Sequence, residues 1–145
     1  MNAQALYDND FDNWIQQHIF LLKEHRFSEI DVVHLINELE DMGKSNQREL
    51  ENRLECLIMH LLKWQYQPNK RSNSWQATIK EQRRRLNRLL KDAPSLKNKM
   101  DNAIATVYAD AIDSACGETG LAQTVFPSIC GYSKEEILDN AYYPS

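Results

Sequence analysis

Apolar residues recur at steps of three and four along nearly the whole chain, the spacing of helices that each bury one face. Phe11, Trp14, Ile15, Ile19 and Leu22 mark a first amphipathic helix over roughly residues 10–25. Ser28 with Asp31 three positions on has the form of an N-cap with an acidic third residue. Val32, Leu35, Ile36, Leu39 and Met42 then supply the buried stripe of a second helix, which Gly43 ends. Ser45 opens a third helix whose face of Leu50, Leu54, Leu57, Ile58, Leu61 and Leu62 is the strongest periodic signal in the chain. It reaches Gln67 and stops there, because Pro68 disfavours helical geometry in the residue before it. After a polar turn, Ser72 or Ser74 caps a fourth helix with Trp75, Ile79, Leu86, Leu89 and Leu90 inward. The Asp92-Ala93-Pro94 step restarts the chain as a fifth helix, burying Leu96, Met100, Ile104, Val107 and Ala111 and ending at Gly117 and Gly120. Ser133 and Glu136 form a capping box for a short last helix holding Ile137 and Leu138. No segment alternates as a strand would. The pattern predicts an all-α protein, one helical domain over residues 1–145 built as a bundle of four to five main helices plus a short C-terminal helix.

Composition sharpens this picture in one respect. A chain of 145 residues with 42% hydrophobic residues, 4 Gly and 4 Pro is long enough to bury a sizeable core without metal or disulfide staples. Cys56, Cys116 and Cys130 are odd in number and form no CxxC pair, so reduced thiols and a cytoplasmic location are expected. Asp8, Asp10 and Asp12 stand where a targeting peptide would carry positive charge, and no apolar run is long enough to span a bilayer; no membrane segment is expected.

Charge changes the picture more. Residues 1–62 hold 5 basic and 12 acidic residues, residues 63–99 hold 11 and 2, and residues 100–145 hold 1 and 7. Within the basic island, Lys80, Arg84, Arg88 and Lys91 fall on one face of the fourth helix, flanked by Arg83 and Arg85 and preceded by Lys70 and Arg71. Two readings compete. In the favoured one, acidic residues of the second and third helices, Glu38, Glu40, Asp41, Glu49, Glu51 and Glu55, pair with this face inside the bundle. In the other the face is open, with Lys70, Arg71, Lys80, Arg84, Arg88 and Lys91 as contacts for a protein partner or a second copy of the chain. Nucleic acid is the alternative occupant, with Trp64, Tyr66 and Trp75 as stacking residues, although a sequence pI near 5.6 weighs against it. Phe20 and Leu21, beside the main stripe of the first helix, leave room for a homo-oligomer.

Signals for chemistry are sparse. His34 with Glu38, and Cys56 with His60, are i, i+4 pairs, but two ligands do not make a metal site, and neither metal nor cofactor is expected. No GxSxG, P-loop, GxGxxG or HExxH pattern occurs. An enzyme with a Glu/His site between the second and third helices, using Glu38, Glu40 or Glu55 with His60, ranks behind a buried polar network that sets helix register.

Tyr7-Asp8 and Asp10-Phe11 leading into Trp14, the run Leu35 to Gly43, Arg48-Glu49-Leu50, His60 to Gln65, Arg71 through Trp75 and Ile79 to Arg85, Glu118 to Leu121, and Phe126-Pro127 together resemble the domain of unknown function 29 family. The resemblance covers nearly the whole chain. It implies a small bacterial all-helical protein, usually a stand-alone domain, and brings no activity or catalytic residue with it. The motif positions Glu38, Glu40, Arg48, His60, Lys63, Gln65, Arg71, Trp75 and Arg83 suggest one polar network between the second, third and fourth helices. Asn37 departs from the pattern, which more often has an acidic residue there, so a carboxylate that served as base or ligand in relatives would be missing.

Overall fold

A computed structural model describes residues 2–145, and among them there are six α-helices and no strand. They are α1 (Ala3–Asn9), α2 (Phe11–Lys23), α3 (Val32–Tyr66), α4 (Asn73–Asp92), α5 (Met100–Thr119) and α6 (Lys134–Leu138), with short 3-10 turns between them. The protein is all-α, as the periodicity predicts. The chain divides into two compact units, the first ending at Ser45 and the second running from Asn46 to Ser145.

Unit 2 holds the large core. Leu50, Leu54, Leu57, Ile58, Leu61 and Leu62 of α3 pack with Ile79, Leu86, Leu89 and Leu90 of α4 and with Met100, Ala103, Ile104, Val107, Ala111, Ile112 and Ala115 of α5. Phe126, Tyr132 and Ile137, from the segment after α5, join the same cluster. Every inward stripe expected for these three helices is buried, apart from the half-buried Trp75. Ser72 caps α4, its side chain accepting from the Trp75 amide, and the Ser133–Glu136 capping box opens α6. Gly120 ends α5 in the left-handed region at φ 75°, a conformation that costs a residue with a Cβ atom about 1–2 kcal/mol.

Unit 1 is smaller and ordered by rings. Trp14, His18 and Leu21 of α2 are its buried side chains. The Tyr7 ring stacks on His34 at 4.0 Å and meets Trp14 edge-on at 5.1 Å, while Trp14 stacks on His18 at 4.2 Å. His18 Nδ1 donates to the Trp14 carbonyl and its Nε2 accepts from the Asp31 amide, which ties α2 to the start of α3. His25 takes a positive φ of 57° just after α2, a role that histidine fills more readily than most residues with a Cβ.

Four expectations need correction. The second and third helices are one: α3 runs 35 residues through Gly43 and Ser45. A glycine ends a helix by turning to positive φ, and Gly43 keeps a negative one; with no proline nearby, its cost of about 1 kcal/mol is too small to stop a long helix. The start of α3 is set not by Ser28, which lies in a 3-10 turn, but by Asp31, whose Oδ1 accepts from the His34 amide at 3.4 Å. Residues Pro94–Lys99 are 3-10 rather than α, and Gly117 lies inside α5, so Gly120 alone ends it. Finally, the stripe Val32, Ile36, Leu39 and Met42 is exposed instead of buried, with Leu35 half-buried, and on α2 Phe11, Ile19 and Leu22 are exposed as well.

Candidate functional site

The fourth helix amphipathically divides its charge. Its apolar side is spent in the core of unit 2, which leaves Lys80, Arg84, Arg85, Arg88 and Lys91 in solvent. Glu81 takes two hydrogen bonds from Arg84, at 2.9 and 2.8 Å, and one from Arg85 at 2.6 Å. Those two guanidinium groups hold the Glu81 carboxyl down at about 2. Among the described residues Lys80, Arg88 and Lys91 have no carboxylate within ion-pair distance, and none joins α4 to Glu49, Glu51 or Glu55. The expected pairing inside the bundle is therefore not how unit 2 is built: its ion pairs on this face are local, and the basic face is open. Beside it Glu49, Arg84, Arg85, Arg88, Leu89 and Asp92 line a depression of about 370 Å³, so the cations are edged by carboxylates.

The remaining motif residues divide into those brought together and those kept apart. In unit 2, Gln65, Arg71 and Arg83 contact the chain after α5, while Lys63 and Trp75 pair with each other. Lys63 is buried, its Nζ donating to Glu118 at 3.4 Å and lying 4.8 Å over the Trp75 ring. The Tyr132 hydroxyl donates to Gln65 Oε1 at 2.6 Å, and burial pushes that hydroxyl far above its ordinary range, keeping it a neutral donor. Arg71 lies 5.1 Å over Trp64 and donates to the carbonyls of Trp64, at 2.8 Å, and Pro144, at 3.4 Å. Arg83 is fully buried, donates to the carbonyls of Ile137 at 2.8 Å and Glu136 at 3.3 Å, and sits 5.4 Å over Tyr143. Burial lowers its pKa, and its partners are backbone dipoles and a ring face in place of a carboxylate. The Gln65, Arg71 and Arg83 contacts bind the chain after α5 onto α3, α4 and the turn before it, and Lys63 joins α3 to α5 and α4. Lys70 is exposed in the turn before α4.

Glu38, Glu40, Arg48 and His60 stand apart from that cluster. Glu38 accepts from the Tyr7 hydroxyl at 2.5 Å inside unit 1, which raises the tyrosine to about 12. Glu40 and Arg48 are exposed. His60 donates from Nδ1 to the Cys56 carbonyl at 2.8 Å, and burial lowers its pKa while raising that of the Cys56 thiol. Because the expected second and third helices are one, no cleft between them exists to hold Glu38 and His60. The two residues are 22 positions apart on α3. Among the described residues no group of three or more His, Cys, Asp or Glu side chains is arranged to hold a metal ion.

Sequence reasoning missed the aromatic C-terminal tail. Tyr132, Tyr142 and Tyr143 all pack on or near the core, and Tyr143 meets Trp64 at 4.9 Å. Their signal was present as three tyrosines within twelve residues, without periodicity to explain them.

The fold and this surface define a small helical protein with an open basic face. The model of the family Domain of unknown function DUF29 matches residues 6–143, and the chain belongs to that family. No curated protein and no solved structure matches it. Among the described residues, no helix is long and apolar enough to cross a membrane.

Proposed function

We propose that the chain is a helical interaction module that binds an acidic surface of a protein partner through the open face of α4, with Lys80, Arg88 and Lys91 as its free cations and Arg84 beside them. The observation that carries this reading is that unpaired cluster on a helix whose other side is fully used in the core. Protein is favoured over nucleic acid because the aromatics are engaged within the fold. Trp75 lies under Lys63, Trp64 is covered by Arg71 and Tyr143, and Tyr66 packs edge-on to Phe126. A single-strand binder needs such rings free for bases to stack on. The carboxylates of Glu49, Glu81 and Asp92 along the same face would also repel a phosphate backbone. A cytoplasmic setting, with Cys56, Cys116 and Cys130 as free thiols, fits this role.

The test is charge reversal at Arg88→Glu with Lys91→Glu, two exposed positions that leave the core intact. Proteins that co-purify with the native chain at low salt are expected to be lost from the variant. Retention of all of them would remove the reading. A single-stranded oligonucleotide serves as the control: tight binding with a steep fall in salt would move the assignment to nucleic acid.

A further inference from the structure

Among the described residues, ten of the twelve exposed large hydrophobic side chains lie in unit 1, and the longest regular row of them is on α3. Val32, Ile36, Leu39 and Met42 are 54%, 48%, 58% and 65% exposed. At 100° per residue they form one stripe about 120° wide, the width with which a globular helix usually faces a core. The inner side of the same helix segment is already occupied, by His34 against Tyr7 and by Glu38 on the Tyr7 hydroxyl. The stripe is thus surplus to what unit 1 uses to fold, and contiguous apolar surface of this kind marks an interaction site.

Charge says what fits it. Unit 1 carries nine acidic and three basic residues, a net charge of −6. Glu40 borders the stripe on one side and is exposed. An anionic bilayer or a nucleic acid would be repelled, and a second copy of the unit would set −6 against −6. We propose that this face of α3 receives a basic amphipathic helix from a partner protein, its apolar row lying along Val32, Ile36, Leu39 and Met42 and a lysine or arginine reaching Glu40 at the border. This is helix-on-helix recognition read through anchors at steps of three and four. It is independent of the α4 surface, which is polar and of opposite charge, so α4 charge reversal leaves it untouched.

The experiment uses the full chain and a fluorescent synthetic peptide of about 14 residues, leucines at i, i+3, i+4 and i+7 and lysines elsewhere, roughly the length of the exposed stripe with a turn to spare. Its counterpart has glutamate for every lysine. The lysine peptide is expected to bind and the glutamate peptide not. The double variant Ile36→Ser, Leu39→Ser, which leaves charge unchanged, is expected to weaken the lysine peptide by about tenfold or more, equal to about 1.4 kcal/mol. A second variant, Glu40→Lys, is expected to weaken the lysine peptide. Equal affinity of native chain and serine variant for the lysine peptide would overturn the proposal. So would a concentration-dependent dimer of the native chain that the serine variant disperses, since the occupant would then be a second copy. Binding to phosphatidylglycerol vesicles through the same residues would overturn it in favour of a lipid surface.

Discussion

Leu39 and Leu61 lie on the same helix, each within an apolar row of helical spacing, yet Leu39 is 58% exposed and Leu61 is 0%. Both rows predict helix. What differs is the supply of partners. In unit 2, α4, α5 and the tail after α5 bring their own apolar residues to the α3 row, so one cluster closes over it. In unit 1, α1 and α2 offer Trp14, His18, Leu21 and the Tyr7 ring, enough for a small ring-stacked centre but not for a second covered face. A periodic stripe therefore reports that a helix wants one side covered. It does not report that the covering lies in the same chain.

The largest effect that can break this comparison is truncation of the two leucines. Leu61→Ala is expected to cost about 2–5 kcal/mol, through lost transfer energy and a residual cavity, whereas Leu39→Ala should stay within about 0.5 kcal/mol as a surface change does. Urea denaturation of the purified chain measures both, and a similar cost for Leu39 would mean that its face is covered in solution.

A smaller effect tests the continuity of α3. A Cβ added at Gly43 meets nothing within 4 Å, and the residue is helical, so Gly43→Ala should stabilise by about 0.5–1 kcal/mol and raise helicity by circular dichroism. Were the chain to turn at Gly43 as a helix terminus, the same change would destabilise it. Gly120→Ala provides the contrast, since its φ of 75° makes the added Cβ unfavourable, by about 1–2 kcal/mol.

The smallest effect concerns pH and only unit 2. Burial lowers the His60 pKa below its ordinary 6.5, so the folded state prefers the neutral ring. Stability from this source is complete above pH 6.5 and declines as pH falls through the unfolded value. The melting temperature of the native chain should fall on acidification from about pH 8 to about pH 5, and His60→Gln should fall less. Identical slopes would show that His60 does not titrate differently on folding.

Much of the fold was legible beforehand for a physical reason: helix existence follows from spacing and caps, which are local. The cores of α3, α4 and α5, the Ser72 cap and the Ser133–Glu136 capping box are all short-range patterns. Gly43 misled because a glycine is permissive, allowing a terminus without requiring one. The candidate site was half legible. The Lys80, Arg84, Arg88 and Lys91 face follows from helical spacing, whereas its openness depends on which carboxylates the fold brings near.

The sequence by itself determined the helical class, the Ser72 cap and the Ser133–Glu136 capping box, the basic face of α4 and the family to which the chain belongs. The tertiary structure decided the rest, because each remaining question concerned residues far apart in the chain. Only folding could bring Arg83 to the carbonyls of Glu136 and Ile137, or Gln65 to Tyr132. It also set Glu38 and His60 along one helix, and left the apolar rows of unit 1 facing solvent while those of unit 2 met each other. Periodicity encodes a face, and long-range packing decides what that face meets.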